Sequence, residues 1–266
     1  MKTQGFDVSE YQGNIDYKKA KAAGKSFVII RAGFGRYASQ KDPYFETNYT
    51  NATAAGLHVG AYWYSYAMSV AEIEQEMAVF LKVIAGKKFD FPVYLDFEES
   101  RQFALGRVTC SKMIRAAITV LEKAGYWAGL YTYRAALDNY VEDDIKAKKA
   151  IAVAEYASAC HYSGQYGVWQ FTGSGSCLGV SGDVDLDECY VDYPKLIKEN
   201  GKNGYTKPSA PLKYKTTKET PIVKFEGTEP AGAEIGVYGR KTVCGVQYGR
   251  VTADGWVSLN DCKEIK

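Results

Sequence analysis

The sequence predicts an α/β barrel followed by a small all-β domain. Eight apolar, β-branched strand signals fall within the first 200 residues, and helix-period stretches follow only the first five of them. After Asn200 the composition turns polar and lysine-rich, then breaks into short strand-like pieces.

In chain order the strand signals are "GFDVS" (5–9), "SFVIIRAG" (26–33), "LHVGAYWYSY" (57–66), "FPVYLDFE" (91–98), "WAGLYTY" (127–133), "AIAVAEY" (150–156), "GVWQFTG" (167–173) and "SGDVDLDE" (181–188). The clearest helix places Ile73, Met77, Phe80, Leu81 and Ile84 on one face. A second aligns Ile114, Ile118 and Leu121, with Thr109 and Ser111 as candidate caps. After the sixth and seventh strands come only the Gly/Ser-rich loops "HYSGQYG" and "GSGSCLGVSG". This pattern points to a barrel related to the (β/α)₈ type with its last helices missing. An open doubly wound sheet is the alternative, but no strand leads into a Gly-rich phosphate loop at a helix start.

The barrel is expected over residues 1–200 and a proline-containing linker over 201–220. A small β-barrel module is expected over 221–266, with a hairpin turn at "ADG". A module that small has a marginal core, which a Cys244–Cys262 bridge would help.

Composition bounds the function. The chain has 266 residues, 46% hydrophobic and 24% charged, enough for a sizeable core. It has no run of 18 apolar residues, so no membrane span is expected. Residues 1–200 carry 22 basic and 24 acidic side chains, and residues 201–266 carry 11 and 7. A slightly acidic body without a basic stripe argues against nucleic acid, while the basic tail suits an anionic wall polymer. Six cysteines without a C-x-x-C pair, and only two histidines, argue against zinc. No apolar export region opens the chain. A trimmed leader or release by another route is therefore expected for any work outside the cell.

The chemistry lies in acids at strand ends. Side chains alternate along a strand, so Tyr94, Asp96 and Glu98 face opposite to Val93, Leu95 and Phe97. In a barrel the polar set points into the mouth, and Glu99 falls on the other parity as a surface or supporting residue. Asp7 ends the first strand and Asp185 the eighth. Four carboxylates from three strands, Asp7, Asp96, Glu98 and Asp185, thus converge on one cavity. Crowding keeps at least one of them protonated, which suits glycoside hydrolysis. Binding of a hard cation such as magnesium is the rival use. Twenty-two tyrosines, "AYWYSYA" on the third strand and Trp169 on the seventh offer platforms for sugars as well as ordinary filling.

"GFDVSEYQGNID", "VGAYWYSYA", "PVYLDFEES", "YTY", "VWQFTGSG" and "GDVDLDE", in this order and spacing, resemble glycoside hydrolase family 25, the Chalaropsis-type lysozymes or N-acetylmuramidases. The resemblance spans roughly residues 3–195. It implies a (β/α)₅(β)₃ TIM-like barrel and cleavage of the β-1,4 bond between N-acetylmuramic acid and N-acetylglucosamine in bacterial peptidoglycan. It also implies Glu98 as general acid. Asp96 assists as nucleophile or by stabilising an intermediate formed by the substrate's acetamido group, and Asp7 and Asp185 complete the cluster. Tyr62, Tyr64, Arg31 and Trp169 match groove positions. No cofactor is implied. Trp63 stands where the family usually has His, and Asp183 shares the face of Asp185, which matches the family's V-D. "GWVSL" gives the C-terminal piece the look of a bacterial SH3-like module that targets such hydrolases to the wall. With no leader seen, the expectation is a phage or prophage endolysin made in the host cytoplasm, or a trimmed autolysin. The alternative class is a catalytically inactive protein that binds cell-wall carbohydrate.

Overall fold

The computed structural model describes residues 2–148 and 150–207 and, beyond them, the backbone of the strand segments named below. The chain divides into two compact units, Met1–Lys207 and Pro208–Lys266.

The first unit is a closed eight-stranded barrel in the order β1-β2-β3-β4-β5-β6-β7-β8. The strands are β1 (Thr3–Val8), β2 (Phe27–Phe34), β3 (His58–Tyr64), β4 (Val93–Asp96), β5 (Ala128–Tyr133), β6 (Ala150–Ala154), β7 (Val168–Gly175) and β8 (Val184–Cys189). α1 (Tyr17–Ala22) follows β1, α2 (Phe45–Ala54) follows β2 and α3 (Val70–Ile84) follows β3. α4 (Ser100–Phe103) and α5 (Arg107–Lys123) follow β4, and α6 (Arg134–Tyr140) and α7 (Asp143–Lys148) follow β5. No helix stands between β6 and β8, and α8 (Tyr193–Glu199) closes the unit. The closed ring excludes the open doubly wound sheet.

β1 to β7 run parallel, whereas β8 is antiparallel to both β7 and β1. The stretch 155–167 between β6 and β7 is long enough to cross over and keep the strands parallel without a helix, whereas the shorter stretch 176–183 between β7 and β8 turns the chain back. Asp185 was expected at the end of its strand. It lies instead near the beginning of β8, and the reversal brings that beginning to the mouth where β1 to β4 end.

Alternation sorts the side chains. Val93, Leu95 and Phe97 join the apolar layer between barrel and helices, while Tyr94 and Asp96 turn inward. On the helix side, Ile73, Met77, Phe80 and Ile84 of α3 are fully buried, and Ser69 caps the helix by accepting the Glu72 N–H. α5 starts differently from the expectation: its cap is Gly106 at φ 81°, and Thr109 and Ser111 sit inside the helix. The Ser111 hydroxyl accepts the Glu142 N–H at 3.0 Å and ties α5 to the start of α7.

Residues 201–207 were expected to open a linker but belong to the barrel unit. Asn203 plugs its lower end in the left-handed conformation (φ 55°). Its Nδ2 donates to the carbonyls of Phe89 (3.2 Å) and Phe91 (2.7 Å), and its Oδ1 accepts the Trp127 N–H at 2.7 Å. A side chain that completes three barrel backbone groups makes this segment structural.

In the second unit the described residues form two antiparallel sheets. The larger has the order β11-β10-β15-β14-β13, built from β10 (Thr220–Val223), β11 (Thr228–Glu229), β13 (Gly239–Val243), β14 (Val246–Arg250) and β15 (Trp256–Ser258). The smaller has the order β12-β9-β16, from β9 (Leu212–Thr216), β12 (Glu234–Val237) and β16 (Cys262–Glu264). β9 therefore falls within the stretch expected as linker. The "ADG" turn and the Cys244–Cys262 bridge lie outside the described residues.

Candidate active site

The inward-facing residues of the barrel enclose a cavity of about 200 Å³ at the mouth. Five carboxylates line it: Asp7 from β1, Asp96 and Glu98 from the end of β4, and Asp185 and Asp187 from β8. The four acids read from the sequence are thus brought together, with a fifth beneath them. Asp187 shares the parity of Asp185, so the alternation along "DVDLDE" was the signal that could have found it.

Glu98 lies just beyond β4, yet keeps strand parity because the Phe97 N–H still bonds to the Tyr131 carbonyl at 3.0 Å. The Ser65 N–H bonds to the Asp96 carbonyl at 3.0 Å, so the strand end is held on both sides. Asp96 and Asp187 are 3% and 2% exposed, and each keeps one carboxyl oxygen without a hydrogen-bond partner among the described residues. Glu99 is turned away and accepts the Tyr64 hydroxyl at 2.9 Å.

Burial and like charge hold protons in this cluster. Asp7 is pushed well above the ordinary carboxylate range, first by burial and then by Asp187 and Asp185, with the Gln170 N–H acting in the opposite sense. Asp96 is raised by burial and next by Glu98, against the pull of Arg31. Burial raises Glu98, followed by Asp185 and Glu99. Asp187 is raised by burial and then by Asp185. Because these carboxyls influence one another, their titrations belong to the cluster and not to any single residue.

Tyr62, Tyr64 and Arg31, singled out by the resemblance, line the cavity. The Arg31 guanidinium is itself tied to Glu10 (2.6 Å) and Asp42 (2.8 Å), and the Tyr11 ring lies 5.0 Å away. Arg31 therefore also braces the loop after β1. Trp169 departs from the expectation. It is 7% exposed, packs beside Phe171 in the apolar layer and donates its indole N–H to the Glu155 carbonyl at 2.9 Å. Its neighbours Val168 and Gln170 take the inward places. Tyr11 and Tyr156, exposed at 81% and 64%, were not read as site residues from the sequence. Tyr11 lines the cavity, and the Tyr156 hydroxyl reaches Gln170 at 3.0 Å. Among the described residues no group of three or more His, Cys, Asp and Glu is arranged to hold a metal ion.

The model of the family described as glycosyl hydrolases family 25 matches residues 6–180. The chain belongs to family 25. It is 28% identical over 189 residues to the autolytic lysozyme of Clostridium acetobutylicum, covering 70% of this chain and 55% of that protein. The chain therefore spans about half the length of that curated relative. The bacterial lysozyme of Streptomyces coelicolor superposes with a TM-score of 0.61 at 28% identity, over 71% of this chain and 92% of that one. The CTP1L endolysin superposes with a TM-score of 0.63 at 26% identity, over 74% and 69%.

Within family 25 this chain has Trp63 where His is usual. Trp63 faces the helices: it is fully buried, stacks on Phe80 and donates its indole N–H to the Gly35 carbonyl. The departure lies off the cavity. The match to the family model stops before β8, and it is the geometry that brings Asp185, already read from the sequence, and Asp187 into the site.

Proposed function

We propose that the chain is a peptidoglycan hydrolase that cleaves the β-1,4 bond between N-acetylmuramic acid and N-acetylglucosamine. The observation that carries this reading is the convergence of Asp96 and Glu98 with Asp7 and Asp185 on one cavity of a family 25 barrel. Glu98 is the general acid. It sits in the mouth with its carboxyl raised by burial and by Asp185, so it holds a proton to give to the leaving oxygen. Asp96, deeper and opposite Arg31 in charge, assists as the sugar gains positive character. Tyr62, Tyr64 and Arg31, with Tyr11 at the rim, form the wall against which the sugars lie.

The second unit is the wall-binding module of this reading, supported by the slight basic excess of residues 208–266, which carry nine basic and seven acidic side chains. The protein then acts on the wall after release from the cytoplasm, as a phage-type endolysin or a trimmed autolysin does.

The test is digestion of purified Gram-positive walls by wild type and Glu98→Gln, with released ends identified by mass spectrometry. Reducing muramic acid ends from the wild type, reduced on the order of 10²–10⁴-fold in the variant, are expected. Walls bound without release of ends would transfer the reading to the inactive carbohydrate-binding protein.

A further inference from the structure

Gln170 on β7 sits between two kinds of partner. Its Nε2 donates to Asp7 Oδ2 at 2.7 Å. Its Oε1 accepts the hydroxyl of Tyr131 at 2.9 Å and that of Tyr156 at 3.0 Å. The side chain is 3% exposed, so water does not compete for these contacts. With two tyrosine hydroxyls donating to Oε1, the amide is left with its NH₂ toward Asp7, whose Oδ2 accepts it. Two hydroxyls on the carbonyl oxygen then occupy both of its acceptor sites and resist a flip. The titratable groups facing Asp7 are otherwise acidic or phenolic: Asp96 from β4, Asp185 and Asp187 from β8, and Tyr62 from β3. Gln170 is the neutral donor set against them.

We propose that Gln170 is a positioning residue: held by Tyr131 and Tyr156, it fixes the Asp7 carboxylate in one orientation within the acid cluster. The proposal rests on the muramidase reading for its kinetic consequence, but not for its geometry.

Three substitutions test it. Gln170→Glu replaces the amide with a carboxyl of nearly the same shape. When ionised, the new carboxylate has no hydrogen to donate to Asp7 Oδ2 and adds a negative charge beside it. On acidification it takes up a proton, donates its O–H to Asp7, and still accepts the two tyrosine hydroxyls. The kcat of this variant relative to wild type should therefore rise about 10-fold or more between pH 7.5 and pH 5, with KM changed by less than about 3-fold. Gln170→Leu has no donor at any pH, so its relative kcat should stay low throughout, on the order of 100-fold below wild type. A relative kcat of Gln170→Glu that does not move with pH, or a Gln170→Leu variant with wild-type kcat, overturns the proposal.

If neither variant folds, the double variant Tyr131→Phe/Tyr156→Phe leaves Gln170 and its charge in place. A fall of about 10-fold in kcat at unchanged KM supports the clamp, and an unchanged kcat overturns it. Carbon-detected NMR titration of the Asp7 carboxyl gives a readout independent of turnover. Loss of the N–H donor in Gln170→Leu should raise the Asp7 titration midpoint, and an unmoved midpoint counts against the clamp. That measurement stands even if the wild type releases no muramic acid ends, an outcome that removes only the muramidase reading.

Discussion

Asp7 on β1 and Asp185 on β8 are register partners across an antiparallel seam of the barrel. An outgoing strand and a returning strand thus deliver a carboxylate to the same level of the mouth. The pair sits beside Glu98 and sets part of its charge environment, since Asp185 contributes to the upward shift of the Glu98 carboxyl.

Asp185→Asn should move the alkaline limb of the pH–rate profile to lower pH. Removing a negative charge near Glu98 lowers its affinity for the catalytic proton, so the acid form is lost earlier as pH rises. The pH dependence of kcat/KM on wall fragments measures this. A limb that stays in place would show that Glu98 does not set it.

Asp187→Asn should stabilise the fold near neutral pH. The Asp187 carboxyl is held well above its ordinary range by burial and then by Asp185. Below the unfolded-state pKa both states are protonated and the group contributes nothing. Above it the unfolded chain ionises while the folded one keeps its proton, so stability falls as pH rises. The variant should therefore gain little at pH 3 and progressively more toward pH 7. Urea melts at several pH values decide it, and a gain that is equal across them contradicts the assignment.

Asn203→Ala should cost about 2–4 kcal/mol in the same melts. It removes two donated bonds and one accepted bond at the base of the barrel and leaves buried backbone groups of Phe89, Phe91 and Trp127 unmet. Asn203→Gly relieves the left-handed backbone but loses the same bonds, so it should recover only a small part.

Trp169→Phe should lower stability by about 1–3 kcal/mol and leave KM for wall fragments within about 2-fold, because the indole is packed in the apolar layer instead of lining the cavity. Steady-state kinetics and a thermal melt on one preparation separate the two effects. A KM raised 10-fold with unchanged stability would return Trp169 to the groove.

Much of the site was legible in the sequence because strand alternation is strict. Asp96 and Glu98 could be placed on one face from "VYLDFE" alone, and both line the cavity. The same rule places Trp169 opposite Val168 and Gln170, and the structure follows the rule where the aromatic type had drawn attention to the wrong residue. Asp187 was equally readable by parity with Asp185. The α5 cap was misplaced for a different reason. Thr109 and Ser111 are good capping types, but the chain enters the helix at Gly106, whose φ of 81° makes the entry turn.

The sequence by itself determined the eight strands, the helices after the first five, and the acids and aromatics at their ends. Those features are local: apolar periodicity, turn residues and alternation are written within a few residues of each other. Only the tertiary structure decided the direction of β8, the attachment of residues 201–207 to the barrel, and the joining of Gln170, Tyr131 and Tyr156 to Asp7. These depend on pairings between different elements of the barrel, among them that of Gln170 with Asp7, which spans 163 positions. Barrel closure selects such pairings, and no short stretch of sequence contains the information that specifies them.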